Sequence, residues 1–69
     1  MKKRILIIGA CGQIGTELTL FLRNKFGSHK VIASDIREGE EELMKSGPFE
    51  ILDAMDYNAV EEVVIRHEI

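Results

Sequence analysis

Three glycines at fixed spacing form the pattern in this sequence that is best suited to chemistry. They belong to the segment GACGQIG, which runs from Gly9 to Gly15 directly after a short apolar stretch. A glycine at a strand exit permits a tight turn, the next lets a phosphate approach the backbone, and the third lets a helix pack closely on the strand. The first amides of that helix are unpaired donors with partial positive charge. The segment therefore predicts a diphosphate site built mainly from backbone.

An acidic residue stands where a dinucleotide fold needs one. Asp35 ends a second apolar run, 20 positions after Gly15, and a carboxylate at this place binds the hydroxyls of the adenosine ribose. Because it repels a 2′-phosphate, it favours NAD over NADP. Arg37 can instead meet a 2′-phosphate or stack on adenine, but the acid lies closer. The alternative is that Asp35 only ends its strand through a turn hydrogen bond.

A third group of candidate residues follows the third apolar run. Asp53, Ala54 and Met55 stand there, and ligands of open α/β sheets bind outside the carboxyl ends of the strands. We therefore expect these residues beside the adenine, where Asp53 can accept a hydrogen bond from the amino group. A turn or capping role for Asp53 is the alternative that the sequence leaves open.

The elements that must position these residues follow from periodicity. The continuous apolar run at 5–8 predicts a strand buried on both faces. Residues 31–35 predict a second short buried strand and 49–52 a third, and the intervening 37–48 predicts an exposed connection with one helical turn. Strand, helix and strand within about 35 residues make one βαβ unit, whose right-handed crossover sets the two strands parallel. The predicted fold class is α/β, the N-terminal part of a doubly wound Rossmann fold in the order β-α-β-β-α, with a parallel sheet of about three strands and flanking helices.

Two longer helices are predicted, each with an apolar stripe that we expect to pack inward. The first runs from about residue 12 to 26 and ends at Gly27, and Arg23 lies outside its stripe. The last begins after a cap at Asp56 or Asn58. The stripe residues are Ile14, Leu18, Phe21 and Leu22 in the first helix and Val60, Val63, Val64 and His67 in the last.

Composition limits the remaining functions. The chain has 69 residues and a net charge of -3, so it holds at most one small domain and offers no cluster of cations for a nucleic acid. No apolar run is long enough for a membrane span or signal peptide, so we expect a cytoplasmic protein. Cys11 is the only cysteine, which excludes an internal disulfide and predicts no metal site. We interpret Cys11 as a small turn residue rather than a reactive thiol.

Three sequence blocks resemble a known family across essentially the whole chain. GACGQIGTEL at 9–18, VIASDIR at 31–37 and SGPFE at 46–50 are similar to the short-chain-type L-threonine 3-dehydrogenases, of the NAD-dependent epimerase/dehydratase superfamily. The resemblance implies an enzyme that oxidises L-threonine with NAD to 2-amino-3-ketobutyrate. It also implies cofactor contacts along the pyrophosphate, around the adenosine and beside the adenine. The residues implied are Gly9, Gly12, Gln13, Ile14, Asp35, Ile36, Arg37, Asp53, Ala54 and Met55.

The catalytic pair of this family is missing from the sequence. Short-chain dehydrogenases use a tyrosine with a lysine four residues later, whereas the only tyrosine here is Tyr57 and the fourth residue after it is Glu61. We therefore expect residues 1–69 to be a partial NAD-binding domain without turnover, with no catalytic residue and with substrate contacts beyond residue 69.

Two other interpretations of the chain stay open at this point. One is an NAD-binding fragment of a sugar-nucleotide epimerase or dehydratase, and the other is a non-catalytic nucleotide-binding or structural module. In isolation, the unpaired apolar edge of the first strand predicts self-association.

Overall fold

The computed structural model describes residues 3–69, which form a parallel three-stranded sheet in the order β1-β2-β3. Ile5 pairs with Val31 in the first ladder, and Ala33 pairs with Phe49 in the second. The predicted α/β class and parallel sheet are confirmed. The elements are β1 Ile5–Ile8, α1 Gln13–Phe26, a short 3₁₀ turn Ser28–Lys30, β2 Val31–Asp35, α2 Glu41–Lys45, β3 Phe49–Ile51 and α3 Tyr57–Arg66.

The central strand β2 is the most buried element because helices cover both faces of the sheet. Its first four residues are fully enclosed, as the continuous apolar run predicts. Ala33 belongs to the core that α1 and α2 cover, where Leu43 of α2 is also buried. Glu50 pairs with Ser34 and so lies on the opposite pleat from Phe49; its carboxylate meets the end of α3. α3 therefore covers the second face.

The apolar stripe predicted for α1 is largely exposed, which corrects the sequence-based expectation. Ile14, Leu18 and Phe21 are 82%, 46% and 61% exposed, whereas Thr19 and Arg23 are buried. Leu22 alone among the stripe residues packs against the core. The reason is that α1 packs against β1, β2 and α2, which cover one flank of the helix, and the other flank has no neighbour among residues 3–69.

Arg23 is buried because its guanidinium serves the backbone of three neighbouring segments. It donates to the carbonyls of Val31 at 3.0 Å and Leu43 at 3.0 Å, to Ser46 Oγ at 2.8 Å, and to the Pro48 carbonyl. No carboxylate pairs with it among the described residues. Burial alone lowers its pKa. Arg23 thus joins α1 to the start of β2, the end of α2 and the start of β3.

The last helix begins at the first of the two predicted caps. Asp56 Oδ1 accepts from the Ala59 amide at 3.1 Å, so Asp56 and not Asn58 is the N-cap. At the other end, Glu50 Oε2 lies 2.7 Å from Arg66 and 2.6 Å from the His67 ring nitrogen. The bond from His67, then that from Arg66, lowers the Glu50 pKa. None of the helices within 3–69 has the length and apolar character of a membrane span.

Candidate dinucleotide site

The loops that follow the three strands meet at one edge of the sheet. The amides of Gly9 and Ala10 both donate to the Ser34 carbonyl at 2.9 Å, and the Leu52 amide donates to the Asp35 carbonyl at 2.8 Å. These bonds join the end of β1 to β2 and the end of β2 to β3. The three candidate segments predicted from sequence are therefore neighbours.

The turn after β1 depends on glycine at its first position. Gly9 has a φ of 84°, in the left-handed region that residues with a side chain rarely adopt. The chain then turns inward at Ala10, which is fully buried. Thr16 Oγ1 donates to the Ala10 carbonyl at 2.8 Å and ties the first turn of α1 to this loop. The loop is thus tied to β2 by its own amides and to α1 by one hydroxyl.

Gly12 and Gly15 have different roles, which the structure separates. A Cβ on Gly15 would collide with the Gly9 carbonyl and approach Ala10 Cα to 2.9 Å, so this glycine lets α1 pack on the strand exit. A Cβ on Gly12 would meet only the Gly9 carbonyl, at an ordinary 3.8 Å. Packing within the chain therefore does not require glycine at position 12. Close approach of a ligand to the backbone would require it.

The start of α1 presents its backbone donors to solvent. Gly12 is the N-cap and supplies no side-chain hydrogen bond, and the first turn contains no acidic residue. The amides of Gln13, Ile14 and Gly15 have no intrahelical acceptor by virtue of their position, and the side chains of Gln13 and Ile14 are exposed. This end of the helix is suited to an anion.

Asp35 points its carboxylate at the glycine loop. Its Oδ2 accepts from the Cys11 amide at 2.9 Å, and its Oδ1 accepts from the Ile36 amide at 2.7 Å. The bond from Cys11, followed by that from Ile36, lowers the Asp35 pKa, so the group is ionised at neutral pH. The bond from Ile36 is the turn hydrogen bond considered as an alternative for Asp35. The same carboxylate also faces the glycine loop, and each of its oxygens keeps a second lone pair for a ligand.

Cys11 links the glycine loop to the segment after β2. Its thiol donates to the Arg37 carbonyl at 3.2 Å, and burial, then the charge of Asp35, raises its pKa. A raised pKa disfavours the reactive thiolate, which accords with the interpretation of Cys11 as a turn residue. The side chains of Ile36 and Arg37 are exposed beside this link.

Asp53 makes the turn that the sequence left as an alternative. Its Oδ1 accepts from the Met55 amide at 2.9 Å, and its carbonyl accepts from the Asp56 amide at 2.9 Å. Ala54 and Met55 are exposed at the tip of this turn. The second carboxylate oxygen keeps its capacity as an acceptor.

Two open clefts flank the glycine loop, and part of their lining was not predicted from the sequence. One, of about 420 Å³, lies between the end of β1 and α3; the other, of about 480 Å³, lies between the starts of α1 and α2. The residues that line each cleft belong to elements far apart in the chain, so local sequence does not predict that they lie together. The first is lined by Ile8, Ala54, Tyr57, Asn58, Val60 and Glu61, the second by Cys11, Gln13, Thr16, Glu17, Leu20, Glu40 and Glu42.

No metal site accompanies these clefts. Among residues 3–69, no three His, Cys, Asp or Glu side chains are grouped so that they could hold an ion.

Comparison with known proteins identifies relatives by sequence. The chain is 44% identical over 68 residues to the mitochondrial L-threonine 3-dehydrogenase of Bos taurus, and the match covers 99% of this chain and 18% of that protein. It is 52% identical over 63 residues to an uncharacterized epimerase/dehydratase of Staphylococcus saprophyticus, which covers 90% of this chain and 20% of that protein. Models of protein families gave no match.

Solved structures give the same relationship. The L-threonine dehydrogenase from Clostridium difficile superposes with a TM-score of 0.91 at 48% identity, and the alignment covers 99% of this chain and 22% of that one. The holo form of the GalE-like L-threonine dehydrogenase from Cupriavidus necator gives a TM-score of 0.86 at 41% identity, over 96% of this chain and 21% of that one.

This chain spans about a fifth of the length of the bovine and staphylococcal relatives. The similarity covers the glycine loop, the strand that ends at Asp35 and the third strand together. The chain is therefore a homologue of the L-threonine 3-dehydrogenases and the epimerase/dehydratases, with the fold of the N-terminal Rossmann-like part of the threonine dehydrogenases.

Proposed function

We propose that this chain is the NAD-binding portion of an oxidoreductase that acts on L-threonine. The observation that carries the proposal is the position of the Asp35 carboxylate, held against the glycine loop by the Cys11 amide at 2.9 Å. An ionised acid at the edge of a phosphate-binding loop suits a ligand that has a diphosphate joined to a ribose. Inorganic phosphate or a nucleic acid would gain nothing from that carboxylate.

The residues present fit such a ligand. The exposed start of α1 would hold the pyrophosphate through backbone amides, and Gly12 leaves the approach open. Asp35 would accept from the ribose hydroxyls, with Ile36 and Arg37 beside the adenosine. Asp53, Ala54 and Met55, exposed on the neighbouring loop, would flank the adenine. When bound, NAD supplies the acceptor for a hydride.

Oxidation of L-threonine to 2-amino-3-ketobutyrate is proposed from the named relatives and not from a catalytic group in this chain. Tyr57 is 75% exposed, and the fourth residue after it is Glu61 rather than lysine. Within residues 3–69 no tyrosine–lysine pair is present. Binding and orientation of the cofactor are therefore the roles that these residues can perform, and the proton transfer belongs to a part of the enzyme outside them.

A second candidate is the NAD-binding portion of an epimerase or dehydratase. The observation that favours it is the 52% identity to the staphylococcal epimerase/dehydratase, above the 44% identity to the bovine dehydrogenase. Both candidates place the same cofactor on the same residues. They differ in the substrate, and in both cases we place the substrate contacts outside these residues.

Calorimetric titration of the chain with NAD, NADP and adenosine diphosphate tests the proposal. We expect NAD to bind more tightly than NADP, and we expect Asp35→Asn to reduce that preference because the acid no longer repels the 2′-phosphate. Glu62→Gln removes an exposed carboxylate on α3 and serves as the control. Absence of NAD binding at millimolar concentration, or an unchanged preference in Asp35→Asn, would contradict the proposal.

A further inference from the structure

The backbone between β2 and α2 is irregular and is fixed mainly at its two ends. Residues 36–39, which we call the β2–α2 segment, form neither helix nor strand. Before the segment, the Asp35 carbonyl accepts from the Leu52 amide at 2.8 Å. At its far end, the Gly39 amide donates to Met44 Sδ on α2 at 3.4 Å. Between these two anchors, the position of the segment depends on contacts that other parts of the chain make with it.

The thiol of Cys11 makes such a contact from the glycine loop. It donates to the Arg37 carbonyl, with Sγ 3.2 Å from the oxygen. Burial, and then the charge of Asp35, raises the pKa of this thiol, so it stays protonated and can donate at neutral pH. Within residues 3–69, no other hydrogen bond joins the glycine loop to the β2–α2 segment.

The same sulfur packs between the segment and the core. A Cβ on Gly39 would lie 3.1 Å from Cys11 Sγ and 2.6 Å from Leu43 Cδ2, so the backbone of Gly39 rests closely on both side chains. Leu43 is fully buried, and Cys11 packs against the core cluster to which Leu43 belongs. The Cys11 side chain therefore both supports the β2–α2 segment and donates to it.

This contact reaches the Asp35 carboxylate through the neighbouring peptide groups. Asp35 Oδ2 accepts from the Cys11 amide and Oδ1 from the Ile36 amide. Any residue at position 11 supplies the first amide. The second amide belongs to the β2–α2 segment, one residue before the carbonyl that the thiol holds. Movement of the segment would shift the Ile36 amide and release one of the two bonds that orient the carboxylate.

We propose that Cys11 is a positioning residue for recognition of the adenosine ribose, because its thiol holds the β2–α2 segment in the place that keeps the Asp35 carboxylate directed at the ribose hydroxyls. The inference rests on the proposed function, in which Asp35 accepts from those hydroxyls. The thiol acts through the Arg37 carbonyl and the Ile36 amide. If position 11 only needed a small side chain, alanine would serve there equally well.

Calorimetric titration with adenosine diphosphate and with 2′-deoxyadenosine diphosphate tests the proposal, because the ratio of the two dissociation constants reports the contribution of the 2′-hydroxyl. In the unmodified chain we expect the deoxy ligand to bind at least about tenfold more weakly, as for loss of a hydrogen bond to an ionised acceptor. Cys11→Ala should lower this ratio at least about threefold. Cys11→Ser should restore part of it, since a hydroxyl can donate to the same carbonyl.

Two further variants separate positioning from a general loss of stability. Val63→Ala removes buried apolar volume on α3, away from the β2–α2 segment, and should keep the ratio while it lowers the unfolding midpoint. Cys11→Val keeps apolar volume without a donor and gives the same comparison if Cys11→Ala does not fold.

Amide hydrogen exchange, followed by nuclear magnetic resonance, checks the segment without a ligand. The exchange rate of the Ile36 amide, relative to that of the Leu52 amide, should rise at least about threefold in Cys11→Ala, because only the first amide lies in the segment that the thiol holds.

An unchanged ligand ratio in Cys11→Ala, an equal fall in Val63→Ala, or an unchanged exchange ratio would overturn the role of Cys11 and leave the proposed function intact. Equal binding of the two diphosphates by the unmodified chain would overturn the assignment of Asp35 to the ribose, and with it this inference.

Discussion

Replacement of Arg23 by methionine should strongly destabilise this domain. Methionine keeps much of the apolar volume of the side chain but removes every donor. The guanidinium serves three backbone carbonyls and the hydroxyl of Ser46. The residue itself is only 3% exposed, so water does not readily replace these bonds.

The magnitude follows from the three carbonyls that lose a charged donor. The Leu43 and Pro48 carbonyls keep a second donor, Ser46 Oγ and the Ala33 amide, so each loss is counted at about 1 kcal/mol, as for a typical hydrogen bond, and not at the higher cost of an unsatisfied buried acceptor. Methionine also avoids the desolvation cost of a buried cation, which offsets the loss of the bond to Ser46. We expect a loss of about 3 kcal/mol. A domain of this size has a free energy of unfolding of only about 3–10 kcal/mol, so the variant should be largely unfolded or close to it.

Urea unfolding at fixed protein concentration measures this loss, with circular dichroism as the probe. Arg23→Lys should recover only part of the stability, because an ammonium has three donors on one atom and does not span acceptors on three segments. Gly47→Ala provides an independent check, since a Cβ there would lie 2.7 Å from the guanidinium Nε and 2.8 Å from the Ser28 carbonyl. A loss below about 1 kcal/mol in Arg23→Met would refute the reasoning.

The remaining predictions concern the glycine loop and two titrating groups. Gly15→Ala should lower the unfolding midpoint because its Cβ collides with the loop, whereas Gly12→Ala should keep the midpoint and weaken NAD binding. The assignment is wrong if thermal melting shows the lower midpoint in Gly12→Ala and titration shows weaker NAD binding only in Gly15→Ala. The lowered Glu50 pKa means that its contribution to stability is present above the ordinary glutamate pKa of about 4.3 and is lost as pH falls through the lower folded-state value. Glu50→Gln should reduce the loss of unfolding free energy at acid pH, as measured by urea unfolding. An unchanged pH dependence in this variant would exclude a contribution of Glu50 to acid stability. The raised Cys11 pKa predicts slower alkylation by iodoacetamide at neutral pH than for a free cysteine, and faster alkylation would exclude it.

The site at the end of the strands was largely predictable because its signals are local. GACGQIG follows the apolar run of β1 and opens α1, and Asp35 ends the next strand. Right-handed crossover then leaves one arrangement for the two strands. What local sequence did not reveal is the direction of the Asp35 carboxylate, because its partner is the Cys11 amide 24 residues earlier in the chain.

The sequence by itself determined the elements, the parallel sheet and the position of the glycine loop, because hydrophobic periodicity, glycine conformation and chain connectivity act over short distances. Tertiary structure alone decided which flank of α1 is covered and which is open. It placed Arg23 inside, although periodicity predicted it outside, because carbonyls of three segments converge where a long side chain with several donors can reach all of them. It left Leu18 and Phe21 outside because β1, β2 and α2 cover only the other flank of α1 among residues 3–69.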